Sequence, residues 1–321
     1  MTAGLPTVGV VSLSQGTRPE DLAAGLASLA AQTGVDLDVI VVGNGWAPTG
    51  LPDGVRGLAL ETNVGIPAGR NRGAEQVRGE WIFFLDDDAS LPSPTFLADA
   101  IAIATADPRI GLLQPRVDDP TGLSTPRRWI PRLRKGDPRH SSPVFSVWEG
   151  ATLLPPRRWI PRLRKGEATD SSYVFSVLEA AVLMPTRVFE DIGGWGDPYF
   201  YAHEGIGLAW RVWADGRIAW YEGDLVAHHP VIDPRRHATY FRLNARNRVW
   251  LAKRNLPWLL VPFYVGSWTL VQLLRSIRNR EGLGAWFGGW VEGWRERPGG
   301  RVGIGWATVW RMTIAGRPPI I

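Results

Sequence analysis

The stretch WIFFLDDDASLP, residues 81–92, decides the fold. Its apolar run, Trp81 to Leu85, is the continuous kind expected of a strand buried on both faces of a parallel sheet. Three aspartates follow where the chain leaves that sheet. In an extended backbone Asp86 and Asp88 point the same way. Adjacent carboxylates repel and raise one another's pKa unless a cation compensates them. Oxygen ligands of this type imply Mg²⁺ or Mn²⁺, whose coordination shells substrate phosphates commonly complete. The run therefore reads as a metal site for a nucleoside diphosphate, and the plainer alternative is a solvated acidic turn that opens the next helix.

Working outward, further apolar runs at 7–13, 37–42, 57–60 and 110–114 read as companion strands. Between the first two, Thr17 and Glu20 have capping-box spacing, and Leu22, Leu26 and Leu29 then fall on one helical face. Ser93 followed by Pro94 opens another helix. Strands alternating with helices predict an α/β nucleotide-binding half over residues 1–117. Neither early strand is followed by GxGxxG, which excludes a dinucleotide oxidoreductase.

The 321 residues include no cysteine, so disulfide scaffolds, thiolate metal sites and cysteine nucleophiles are impossible, and a reducing compartment is the natural inference. The opening MTAGLPTVGVVSLSQG lacks a basic region before its apolar run and reads as a first strand, not a signal peptide. Net charge is +5, and Lys135, Lys165 and Lys253 are the only lysines, so arginine carries the positive charge. Arginine suits phosphate, but no nucleic-acid-reading module is recognisable and no nucleic-acid partner is expected.

Residues 126–155 repeat as 156–185, with PRRWIPRLRKG identical in both copies. Two copies are too few for a solenoid, so this is a local duplication within one domain. Arg157, Arg158, Arg162, Arg164 and Lys165 form either a phosphate-facing run or a solvated loop. Farther on, residues 204–214 read as a helix with Ile206, Trp210 and Trp213 on one face and Gly216 after its end. The uncharged stretch 256–274 would reach about 28 Å if wholly helical, near the bilayer core of about 30 Å. Pro257, Pro262 and Gly266 interrupt it and arginines flank both ends, so an interfacial or re-entrant segment is expected. Trp286, Trp290 and Trp294, with Arg295, Arg297 and Arg301 nearby, suit a head-group boundary or an ordinary helix packed on the core.

Taken in order, TVGVVSLS at 7–14, VIVVGNG at 39–45, NVGIPAGRNRG at 63–73, the aspartate run, IGGWGDPYFYAHEGIGLAWR at 192–211 and HHP at 228–230 resemble a family 2 glycosyltransferase of the GT-A fold. The resemblance covers about 7–255, and the tail TVWRMTIAGRPPII is similar to that of a bacterial, rhamnosyltransferase-like subgroup. It implies a Rossmann-like, mostly parallel sheet flanked by helices in a domain over 1–255, with a helical, membrane-associating region at 256–321. It also implies metal-dependent, inverting transfer of a sugar from a UDP- or dTDP-linked donor to a lipid-linked or polysaccharide acceptor. The enzyme would sit in the cytoplasm, peripheral on the inner face of the membrane.

Carried over by position, Ser12, Ser14, Asn44, Asn63, Gly65, Arg70, Asn71, Asp86 and Asp87 would border the donor. Asp86 and Asp88 with His228 or His229 would hold the metal. Glu179, Ala180, Trp195, His203 and Arg211 would line the acceptor side, the second repeat copy being favoured over Glu149 and Gly150 by continuity. Glu204 would be the base. Gly43 stands where the family often has an aspartate, and Gly205 and Gly207 replace acidic positions of its E-D-x-D-L-x-x-R pattern. The alternative is an impaired member that binds nucleotide sugars or organises an assembly.

Overall fold

The computed structural model describes residues 4–121, 169–230, 239–277, 280–315 and 318–319. The apolar runs become β1 (Thr7–Ser14), β2 (Asp36–Asn44), β3 (Val55–Leu60), β4 (Trp81–Asp86) and β5 (Ile110–Asp118), with α1 (Pro19–Ala30), α2 (Ile66–Ala74) and α3 (Phe96–Ala106) between them. Val8, Val10, Val11, Phe83 and Phe84 are buried, as strands covered on both faces require. Leu22, Leu26 and Leu29 of α1 are buried as expected from their spacing.

Two helix starts differ from expectation. The residue before α1 is Arg18, with no side-chain cap, so Thr17 and Glu20 do not form the capping box; Pro19 supplies the fixed φ of the first turn instead. Likewise α3 starts at Phe96, beyond Ser93-Pro94. There the Ser93 hydroxyl accepts from the Thr95 amide at 3.3 Å, closing a turn ahead of the helix.

Past β5, the second repeat copy supplies β6 (Ser172–Val174) and β7 (Ala181–Pro185), whereas most of the first copy and the basic run 157–165 lie outside the described residues. α4 (Thr186–Asp191), α5 (Glu204–Ala214) and β8 (Ile218–His228) follow. Among the described residues the sheet has eight strands in the order β3-β2-β1-β4-β7-β5-β8-β6. β1 to β4 are mutually parallel, and β5 and β8 pair in parallel. β7 runs antiparallel between β4 and β5. Consequently the C-terminal ends of β1, β4, β5 and β8 share one edge with the start of β7, the edge where α/β sheets bind ligands.

α6 (Tyr240–Asn255), α7 (Val261–Ser276), α8 (Leu283–Arg295) and α9 (Trp306–Ile314) complete the chain. α8 lies close on α6: a Cβ at Gly289 would meet the Arg242 carbonyl oxygen at 2.0 Å. Arg242 and Arg246 both pair with Glu292 across that contact. Trp286 is buried there and the Trp290 indole donates to Thr269 Oγ1 at 3.2 Å, so only Trp294 of that triplet faces outward. Among the described residues no helix is long and apolar enough to cross a membrane.

The segment between α4 and α5 is strained, with Phe200, Ala202 and His203 at φ of 64°, 70° and 73°. Asn247 of α6 is wholly buried and donates to the carbonyls of Tyr199, Tyr201 and Ala202 at 2.8, 2.7 and 3.0 Å. These bonds hold the segment in its turn. Asn247→Ala leaves those carbonyls without that donor, and we expect a loss of about 3 kcal/mol in urea unfolding; an unchanged midpoint would reject the assignment.

Candidate active site

Asp86 ends β4, and its amide donates to the Ala180 carbonyl at 3.0 Å, which ties the aspartate run to the residues just before β7. His229 follows β8, with its amide on the Asp118 carbonyl at 2.9 Å. His229 Nε2 lies 3.1 Å from Asp88 Oδ1 and 3.8 Å from Asp86 Oδ2. One ligand atom from each of Asp86, Asp88 and His229 falls within 4.8 Å of the others. Two carboxylate oxygens and an imidazole nitrogen at this spacing fit Mn²⁺ or Mg²⁺, the nitrogen favouring Mn²⁺. His228 is not in this group; its backbone pairs with Ser90.

The neighbouring aspartate has other work. Asp87 is buried, accepts from Ser14 Oγ at 2.7 Å and pairs with Arg18 at 2.9 Å. Burial pushes its pKa up to about 6 despite both partners. Asp88 is also desolvated, but the hydrogen bond from His229 and the charge of Arg18 hold it below the usual carboxylate range. His229 in turn is raised against the effect of burial by Asp88 and Asp86. Arg18 bridges Asp87 and Asp88, with its side chain 34% exposed. Arg18 contacts Asp88 Oδ2, whereas the oxygen facing His229 is Oδ1.

Arg70 is buried at 2% exposure and donates to Asp86 Oδ1 at 2.5 Å and to the Glu179 carbonyl at 3.0 Å. Its guanidinium sits 4.7 Å from the Trp195 ring centroid. The arginine expected at a donor phosphate thus neutralises the acidic cluster from below. Asn71 bonds both backbone groups of Trp195, donating at 3.0 Å and accepting at 2.8 Å, and holds that loop rather than facing open space. Trp195 is buried against Phe84. Asn44 donates to Asn63 Oδ1 at 2.9 Å and accepts from the Val64 amide at 2.8 Å, shaping the turn into α2. At Gly65, φ is 90° and Phe200 occupies the space a Cβ would need. Ser12 is buried in β1.

A Cβ at Gly43 would meet the Trp46 carbonyl oxygen at 1.9 Å, so the Trp46–Pro48 turn excludes the side chain the family often carries there. The same test at Gly205 places a Cβ 2.5 Å from Glu179 Oε1, which accepts from the Gly205 amide at 2.6 Å. Glu204 is 1% exposed. Burial raises its pKa and raises that of Glu179 well above the usual range, each feeling the other's carboxyl. His203 and Arg211 are buried in packing roles, the first on the Asn244 carbonyl at 3.0 Å and the second donating to the Ile192 carbonyl at 2.8 Å. Ala180 is buried beside Asp86.

The edge therefore brings together Ser14, Asp86, Asp87, Asp88, His229, Arg70, Glu179 and Glu204, with Arg18 added by the fold. Sequence reasoning passed over Arg18, whose only signal was its place before a helix start.

Residues 16–144 match the family model described as Glycosyl transferase family 2, in agreement with the motif resemblance. Among solved structures, one of GalNAc-T7 with UDP, GalNAc and Mn²⁺ is similar at 15% identity and a TM-score of 0.57, over 82% of this chain and 50% of that one. A mannosyltransferase from Pyrobaculum calidifontis with GDP-Man and Mn²⁺ aligns at 14% identity and 0.49, over 78% and 64%. S. aureus TarS 1-349 with UDP aligns at 17% and 0.46, over 74% and 64%. This chain spans about half the length of the GalNAc-T7 chain it matches. A search of curated proteins finds no match.

The raised carboxyl pair has a stability signature. A carboxyl that holds its proton more tightly when folded favours folding at low pH, and that contribution is lost as pH rises from the ordinary Glu range through the folded value. Urea midpoints for Glu204→Gln should fall less between pH 5 and pH 8 than those of the parent chain; parallel curves would count against the buried pair.

Proposed function

We propose that this chain, whose residues 16–144 match the model of family 2 glycosyltransferases, transfers a sugar with inversion from a nucleoside diphosphate, UDP- or dTDP-linked, to the hydroxyl of a lipid-linked or polysaccharide acceptor. The observation that carries the reading is the convergence of Asp86, Asp88 and His229 within 4.8 Å at the ligand-binding edge of the sheet. A divalent ion held there supplies Lewis-acid stabilisation to the departing diphosphate. Arg18, half-buried beside Asp87 and Asp88, offers a planar donor fork of the kind that suits the same phosphates. Arg70 orients Asp86 through its hydrogen bond to Oδ1. The acceptor's proton passes to the Glu179–Glu204 pair as its oxygen attacks the anomeric carbon on the face opposite the leaving group. The UDP and Mn²⁺ bound by GalNAc-T7, a protein of similar fold, support this choice of donor class and ion.

Release of nucleoside diphosphate from UDP- and dTDP-sugars in the presence of Mn²⁺ tests the reading. Asp88→Asn should lower turnover by at least about 100-fold while its thermal midpoint without metal stays within a few degrees. Full activity in Asp88→Asn would overturn the metal role; nucleotide binding without turnover in the parent chain would favour a non-catalytic binding protein.

The acceptor class and the inner-membrane location rest on the outward face of the last helices. Trp258, Leu259, Phe263, Leu270, Leu274, Ile277 and Trp310 are all more than half exposed. Arg301 accompanies them, lying over Trp258 at 4.5 Å. Apolar side chains beside an arginine fit an anionic lipid surface. Vesicles containing phosphatidylglycerol should sediment the protein, more weakly at high salt, and Phe263→Ser with Trp258→Ser should abolish the effect. Equal retention on phosphatidylcholine, or none on either, would contradict it.

A further inference from the structure

The loss of an acidic residue at position 205 is made good in space by another part of the chain. Gly205 leaves room for no side chain, because a Cβ there would lie 2.5 Å from Glu179 Oε1 and 2.6 Å from the Val177 carbonyl oxygen. The Glu179 carboxylate occupies that place, fixed by the Gly205 amide at 2.6 Å. It sits in the first turn of α5, where backbone N–H groups favour negative charge. Antiparallel β7 begins two residues later, so Glu179 arrives at the same sheet edge as Asp86.

The two carboxyls of the pair differ in access. The Glu179 side chain is 22% exposed, whereas Glu204 is 1% exposed and its Oε2 is buried without a hydrogen-bond partner. A base must reach the proton it removes, within hydrogen-bond distance of the acceptor hydroxyl. We infer that Glu179 takes the acceptor proton, and that Glu204, placed by the sequence pattern in that role, is a positioning residue that acts through it. The inference rests on the transfer reading above. In the step, the acceptor O–H bond breaks, its proton goes to Glu179, the oxygen bonds to the anomeric carbon, and the bonding pair of the anomeric C–O leaves with the diphosphate.

Three charged groups surround Glu179. Arg70 of α2 lies at 3.5 Å from Oε2, Glu204 of α5 shares a hydrogen bond with it, and Asp86 of β4 sits on the far side of Arg70. Removing the Glu204 charge relieves repulsion, so the acidic limb of the pH–rate profile should move to lower pH. Retaining it while neutralising Glu179 should erase that limb.

The experiment measures Mn²⁺-dependent UDP binding and turnover of UDP- and dTDP-sugars, with water or a sugar acceptor, in the full chain carrying Glu179→Gln, Glu179→Asp or Glu204→Gln. Glu179→Gln is expected to lower kcat by about 100- to 10,000-fold with UDP affinity within about threefold and no acidic limb. Glu179→Asp should recover part of the rate. Glu204→Gln should cost less than tenfold in kcat and shift the limb downward. Full turnover by Glu179→Gln with loss in Glu204→Gln would overturn the inference while leaving the transfer reading standing. Tight UDP and Mn²⁺ binding with no turnover in the parent chain would overturn the transfer reading, and the inference with it.

Discussion

Everything at the ligand edge depends on how concentrated negative charge is kept folded there. Asp86, Asp87, Asp88, Glu179 and Glu204 face Arg18, Arg70 and His229. Carboxylates removed from water at this density are tolerated only when paired, protonated or bound to a cation. Pairing and burial are both seen here, and one group has the spacing of a cation site. Arg70, itself almost fully buried, anchors Asp86 and Glu179 together; burial raises the pKa of both Glu179 and Glu204; and Asp86, Asp88 and His229 place ligand atoms within 4.8 Å of one another. The excess of carboxylates over cationic side chains suits a divalent ion at this edge.

Topology explains why residues so distant in sequence meet. Parallel strands bring Ser14, Asp86 and His229 to one edge because each lies at or just past a strand's C-terminal end. An antiparallel β7 reverses the rule, bringing Glu179 and Ala180 to that edge from the residues ahead of a strand. The strained segment at Phe200 to His203, fastened by Asn247, then sets the start of α5 so that Gly205 faces Glu179. The C-terminal helices thus contribute to the site's geometry from behind, through α6, while α7 and α9 keep apolar side chains facing outward.

Much of this was legible in the sequence. The positions of β1 to β5 followed from apolar runs, most of them buried on both faces, whereas β6, β7 and β8 were not read as strands. The aspartate run was legible as a candidate cation site because adjacent carboxylates at the end of a buried strand need compensating charge, but the sequence did not show that Arg18, Arg70 and His229 supply part of it. Pairings across the fold were not. Arg70 read as a phosphate ligand, since a sequence shows its charge and not its burial, and in space it lies under Asp86. Arg18 carried no signal beyond a helix start. Gly43, Gly205 and Gly207 read as missing functional groups; the structure fills the first place with a backbone turn and the second with the Glu179 carboxylate, whereas at Gly207 a Cβ would meet only Tyr199 and Leu251 side chains at 3.3 Å or more. The capping-box spacing before α1 failed because Pro19 already sets the first turn, and local spacing cannot reveal that.

The central claim is that Asp86, Asp88 and His229 together hold one divalent ion. Pulsed electron paramagnetic resonance of Mn²⁺ added to the protein with UDP tests it most directly, since it reports nitrogen bonded to the ion and phosphorus close to it. The account predicts one tightly bound Mn²⁺ with coupling to a histidine nitrogen that vanishes in His229→Ala and persists in His228→Ala, together with phosphorus coupling from UDP. Mn²⁺ that remains free, or that binds without a nitrogen ligand, would contradict it.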